Sequence, residues 1–149
     1  MAVSISEANS IISNYLRTGV FSGISFEKYG DRNYVSYVSD VLNGIWQKAF
    51  GGDYESSITV SYSQGVGLNI EVYFSNSQAR FIWHKVPMIV REGIEYYGYE
   101  SFTRCSFTKY VPNECALTFT LETHPATGYE LADHLNKLAS FVKDLTTQF

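Results

Sequence analysis

Cysteine, proline and histidine are all scarce in this 149-residue chain, which holds two, three and three of them. Two cysteines, Cys105 and Cys115, are too few for a disulfide framework. Zinc centres need clustered ligands such as C-x-x-C or H-x-x-x-H, and neither spacing occurs, so no metal or other cofactor is expected. No apolar run approaches the ~20 residues of a membrane span. The beginning of the chain lacks the basic, apolar and small-residue regions of a signal peptide, so a cytoplasmic protein without membrane association is expected. Basic residues are outnumbered, 11 Lys and Arg against 15 Asp and Glu, for a net charge of −4 and a pI near 5.3. A general phosphate-backbone binder needs a basic face, so direct nucleic-acid binding is not expected. The acids are scattered rather than in runs, which gives nucleic-acid mimicry little support.

What is present is ordinary for a globular domain: 45% apolar and 17% charged residues, in a length that suits one domain with a real core. The aromatic fraction is high at 16%, with 12 Tyr and 10 Phe. Tyrosine pairs an apolar ring with a polar tip and suits both a sheet-rich core and a contact surface.

The clearest pattern runs from Ser57 to His84. Ile58, Val60 and Tyr62 alternate with polar residues, as do Leu68, Ile70, Val72 and Phe74. Strict period-two alternation predicts strands with one buried and one wet face. Both apolar sets are even-numbered, so they share a face only across an odd loop. The three residues Gly65-Val66-Gly67 fit, with Gly67 left-handed. In a third strand the buried set turns odd (Ala79, Phe81, Trp83), and the even loop Ser75-Asn76-Ser77-Gln78 precedes it.

Around these strands the helices are marked by caps and spacing. Ser4 with Glu7 forms a capping box ahead of Ile5, Ala8, Ile12, Tyr15 and Leu16, and Gly19 follows as a C-terminal cap. A second helix is predicted from Asp31 or Asn33 to Phe50, on the stripe Tyr34, Val38, Val41, Leu42, Ile45 and Ala49. A short third helix is predicted from Pro87 to Tyr97, with a strand as the alternative for that piece. A second hairpin follows: Thr103, Cys105 and Phe107 on one arm, Cys115, Leu117, Phe119 and Leu121 on the other, about a Val111-Pro112-Asn113 turn. Centred there, Cys105 faces Phe119 and Cys115 faces Lys109. The two Cα atoms then lie beyond the ~7 Å a bridge allows, so both thiols are expected free and mostly buried. Thr127 with Glu130 opens the last helix, whose seam Leu131, Leu135, Leu138, Val142, Leu145 and Phe149 is expected to cover the sheet, with a coiled-coil partner as the alternative. The expected architecture is α+β in the order ααβββαββα, a single domain over 1–149: a mainly antiparallel sheet of about five strands with helices on one face.

No spacing announces chemistry. The cysteines fall on strand interiors rather than at a helix N-terminus, and His84, His124 and His134 belong to no motif. Gly65-Val66-Gly67 joins two strands, unlike a phosphate-cradling loop between a strand and a helix. One segment does stand out. From Glu92 to Phe102, Glu92, Glu95 and Glu100 interleave with Tyr96, Tyr97, Tyr99 and Phe102 around glycines, which suits a protein contact with some negative charge.

At the level of element order the chain resembles the type III secretion chaperone fold, whose plan is helix, three strands, helix, two strands, helix. The helix expected over 31–50 is additional to that plan. The resemblance implies a small acidic protein that works by binding another protein. The leading expectation is therefore a non-enzymatic protein-binding domain of inhibitor, toxin-immunity or secretion-chaperone type, acting on another protein or as a homodimer. The alternative is a small enzyme or small-molecule binder with a pocket between sheet and helices. Two contact patches are expected. One is the wet face of the sheet, with Glu71, Tyr73, Arg80 and Ile82; there Tyr73 lies beside Thr59 and Arg80, and Asn69 beside His84. The other is the aromatic segment, with Glu95, Tyr96, Tyr97 and Tyr99.

Overall fold

Period-two alternation produces the first two of the three strands it predicts between Ser57 and His84. In the computed structural model, which describes residues 3–22, 24–39, 56–75, 83–84, 86–91, 93–97, 102–110 and 114–148, Ile58, Val60 and Tyr62 lie buried on β3 (Ser56–Ser63). Leu68, Ile70, Val72 and Phe74 lie buried beside them on β4 (Gly67–Ser75). Six strands form one antiparallel sheet in the order β1-β2-β3-β4-β8-β7, where β1 is Glu27–Gly30, β2 Tyr34–Ser39, β7 Arg104–Tyr110 and β8 Glu114–Thr123. A separate two-stranded ribbon pairs β5 (Met88–Arg91) with β6 (Ile94–Tyr97). Among the described residues two α-helices accompany the sheet, α1 (Ile5–Leu16) and α2 (Gly128–Gln148). The fold is α+β.

The β3–β4 register is shifted by two residues from the expected one. Ser63 pairs with Gly67 and Ile58 with Val72, so the turn is Gln64-Gly65-Val66. Ser63 Oγ closes it by accepting the Val66 N–H at 3.1 Å. A two-residue shift preserves parity, and every apolar side chain keeps its face. Gly67 does take a left-handed φ of 89°. A Cβ there would also lie 2.4 Å from the Thr123 carbonyl oxygen, so the passage of β8 requires glycine at this point.

The β7–β8 hairpin has the expected register: Cys105 pairs with Phe119, Phe107 with Leu117 and Lys109 with Cys115. Its position differs. The far side of β4 is occupied by β8, with Ile70 opposite Leu121 and Val72 opposite Phe119, and not by a strand over 79–84. Residues 76–82 lie outside the described part. Trp83 packs against the core from a turn, in which the Val86 N–H reaches the Trp83 carbonyl at 3.1 Å.

Two predicted helices are corrected over their described residues. From Tyr34 to Ser39 the chain is β2, with Val35, Tyr37 and Ser39 buried at period two; 40–50 lies outside the described residues. Asp31 begins a turn rather than a helix. Its side chain accepts the Asn33 N–H at 2.7 Å, while its own N–H reaches the Tyr34 carbonyl at 3.1 Å. Asp and Asn serve equally as helix caps and as turn formers, so this signal is shared between the two outcomes. From Met88 to Tyr97 the chain forms two antiparallel strands with Arg91 opposite Ile94, and Gly93 takes φ 78°; Glu92 lies outside the described residues. Ile89, Val90 and Ile94 are β-branched and favour strands, and a Gly-containing two-residue loop is a strong hairpin former. The middle helix of the secretion-chaperone plan, placed at 87–97, is thus a hairpin here.

The first and last helices form as their caps direct. Ser4 Oγ accepts the Glu7 N–H at 3.1 Å. Thr127 Oγ1 accepts the Glu130 N–H at 3.2 Å, and Glu130 in return bonds the Ala126 N–H at 2.7 Å. Leu131, Leu135, Leu138 and Val142 are buried inside the domain, so the α2 seam covers the sheet rather than awaiting a coiled-coil partner. Phe141, off that seam, makes the closest aromatic contacts: 4.6 Å to Phe102 and 4.8 Å to Phe119, centroid to centroid. At the other end of the sheet α1 lies over β2 and β3. The buried Tyr62 hydroxyl donates to the Val3 carbonyl and ties down the start of the chain.

Two outcomes test this packing. Phe141→Ala should destabilise the domain by about 3–5 kcal/mol, the usual cost of emptying a buried aromatic site. Truncation before Leu138 removes Leu138, Phe141 and Val142, worth about 1.5–3 kcal/mol each against about 5–15 in total. Calorimetry of the truncated chain should therefore show no cooperative melt.

Candidate functional site

The sheet parity that buries one face presents a second, polar face. Its residues line up across the strands in rows fixed by register. Glu27, Val38, Thr59, Glu71, Thr120 and Arg104 form one row. Tyr29, Ser36, Ser61, Asn69 and Glu122 form the next. Ser57, Tyr73, Thr118 and Ser106 form a third. Hydroxyl side chains therefore dominate this face, and Ser36 Oγ lies 2.8 Å from Ser61 Oγ. Glu71 is exposed and Tyr73 half-buried. Arg104 meets Glu122 at 2.7 Å, with both side chains more than half exposed, so the pair adds little stability. Glu27 and Glu71 then leave the face acidic.

The structure rearranges the neighbours of the expected patch. Tyr73 pairs with Ser57 and Thr118 instead of Thr59 and Arg80, and Glu71 pairs with Thr59 and Thr120. Asn69 sits between Ser61 and Glu122 and not beside His84. Arg80 and Ile82 lie outside the described residues. The second expected patch falls on the ribbon. Glu95 is exposed there, Tyr96 and Tyr97 occupy β6, and Tyr99 lies outside the described residues. Tyr97 is the register partner of Met88 and Tyr96 of Ile89.

The ribbon also carries two residues that sequence reasoning missed. Met88 is 53% exposed and Ile94 56%. Strand parity puts them on opposite faces of the ribbon, so at these positions neither face is covered. The helix expected from Pro87 to Tyr97 gave no reason to expect this exposure; the Glu92-Gly93 dipeptide near β-branched residues was the available signal. Tyr29, Tyr34 and Tyr129 are exposed aromatics missed in the same way. Tyr129 sits off the α2 seam and flanks a groove of about 580 Å³ between α1 and α2, with Glu7, Ile11 and Tyr15 on its wall.

Among the described residues the shifted titratable groups, Tyr62, Cys105 and His134, belong to no common cluster. Burial pushes the Cys105 thiol up to about 12, so at neutral pH it is protonated and a poor nucleophile. It is free, as expected, and only partly buried. His134 on α2 has a buried Nδ1 without a hydrogen-bond partner among the described residues. Burial lowers its pKa, Lys137 adds to the effect, and Asp133 and Glu130 oppose it. Among the described residues no group of three His, Cys, Asp or Glu is placed to hold a metal, and no helix is long and apolar enough to cross a membrane.

Comparison with protein-family models, curated proteins and solved structures finds no match for this chain in any of the three. The functional reading therefore rests on surface chemistry.

His134 generates a stability prediction. Its folded pKa lies below the unfolded value of 6.5, so the unfolded chain binds more protons as pH falls through that value. Stability is unaffected by this group well above 6.5 and declines as pH drops below it. Melting temperatures measured between about pH 7.5 and 5.5 should fall on acidification, and His134→Gln should flatten that slope.

Proposed function

We propose that this chain is a non-enzymatic protein-binding domain that acts by contact with another protein. The observation that carries the proposal is the β5–β6 ribbon. Among the described residues its strands pair only with each other, and it exposes Met88 and Ile94 beside the acidic Glu95. A two-stranded hairpin gains little stability in water by itself, so a partner that covers these apolar groups would stabilise it. Exposed apolar residues beside aromatics and a charge are the composition of an interface centre and its rim. The acidic, hydroxyl-rich sheet face is the second contact surface, and it suits a partner with basic and hydrogen-bonding groups. An inhibitor, an immunity protein and a secretion chaperone would each work in this way, and a homodimer through the ribbon is the same chemistry with a second copy as partner.

Binding measurements on two double variants test the proposal. Met88→Ser with Ile94→Ser should weaken a stoichiometric partner captured from native lysate by at least about tenfold, and Tyr73→Ala with Glu71→Ala should act more weakly. Size-exclusion chromatography of both variants separates partner loss from dissociation of a homodimer. If both variants stay folded and neither weakens capture or self-association, both surfaces are wrong.

A further inference from the structure

A pocket of about 370 Å³ opens between α1 and the β1–β2 edge of the sheet, on the helix side and away from the polar face. Its floor is apolar: Leu16 and Ile24 are buried and Phe26 is half-buried. Two cations stand on its wall, Arg17 at the end of α1 and Lys28 on β1. Among the described residues no carboxylate lines it, although the chain as a whole is acidic. Among the described residues neither cation has an ion-pair partner.

The polar groups are arranged rather than scattered. Arg17 Nε donates to the Ser13 carbonyl and Nη2 to Ser13 Oγ, both at 3.1 Å. These bonds fix one edge of the guanidinium and leave the Nη1 protons available. The Tyr37 hydroxyl donates to Asn9 Oδ1 at 2.6 Å, which holds both side chains at the pocket wall. Lys28 is the register partner of Tyr37 and so stands on the same face of the sheet. A partly fixed guanidinium with free donors, a second cation and an apolar floor together match an amphiphilic anion. The volume falls at the small end of the range for metabolite sites.

We infer that this pocket binds a small organic anion, a carboxylate or phosphate carried on an apolar body. Arg17 and Lys28 contact the anionic group, and Phe26 with its neighbours accepts the body. The site is distinct from the ribbon and does not depend on the protein-binding reading. Arg17 also complements the C-terminal end of the α1 dipole, a purely structural role that would require no ligand.

Amide NMR titrations of the full chain distinguish the two roles. The probes are phenyl phosphate and phenylacetate, with neutral phenylacetamide and inorganic phosphate as controls. At least one aryl anion should give saturable shifts at residues 13, 28 and 37, while phenylacetamide gives none and inorganic phosphate binds more weakly. Arg17→Gln and Lys28→Gln should each weaken the aryl anion by about tenfold. Among the described residues the Lys28 side chain makes no hydrogen bond or ion pair, so its variant remains decisive even if Arg17→Gln disturbs α1. The inference is overturned by equal binding of phenylacetamide or inorganic phosphate, by binding that survives Lys28→Gln, or by the absence of saturable shifts with either aryl anion. The ribbon variants should leave this titration unchanged, so failure of one reading does not imply failure of the other.

Discussion

Everything in this fold depends on one constraint, that a six-stranded sheet buries a single face. Ile58, Val60 and Tyr62, Leu68, Ile70, Val72 and Phe74, and Leu117, Phe119 and Leu121 all point the same way. That apolar surface must be covered, and α2 covers its β8 side through Phe141 against Phe119 and Phe102. Rings meeting edge to face at these distances add to the area they bury. With α2 anchored there, α1 packs against it and over β2 and β3, and the Tyr62 hydroxyl holds Val3 in place. The pocket at Arg17 and Lys28 exists because α1 reaches the sheet edge with β1 still running beneath it.

The same constraint decides what the rest of the surface can do. Polar residues of the strands are pushed to one side as a continuous set, giving rows of hydroxyls interrupted by Glu27, Glu71, Tyr73 and Glu122. The β5–β6 ribbon is not part of that sheet, so its apolar residues are not gathered onto one protected face. Met88 and Ile94 are left on opposite sides. Exposed apolar groups on a small ribbon and two cations over an apolar floor are two different kinds of surface. The first suits a macromolecule and the second a small anion.

How much of this was legible in the sequence varies with the range of the interaction that decides each part. The α+β class, the capped first and last helices, the alternation of β3 and β4, and the β7–β8 register all follow from contacts between near neighbours. Local chemistry suffices there because parity and capping need no distant partner. The segments 34–39 and 88–97 went the other way, since short apolar runs with β-branched residues satisfy helical and extended spacing together. Pairing with β3 in one case, and the β5–β6 pairing with Gly93 at positive φ in the other, resolved the choice.

By itself, then, the sequence determined which residues of β3, β4 and β8 are buried and on which face, because side-chain alternation is a property of the chain alone. It also placed Glu71, Tyr73 and Glu95 among the polar or exposed positions. Only the tertiary structure decided who stands beside them. The far side of β4 can accept any strand of matching parity, and β8 takes it, so Thr118 rather than Arg80 is the neighbour of Tyr73. The approach of Arg17 to Lys28 likewise depends on how α1 lies across the sheet edge, a long-range packing outcome that no local pattern encodes.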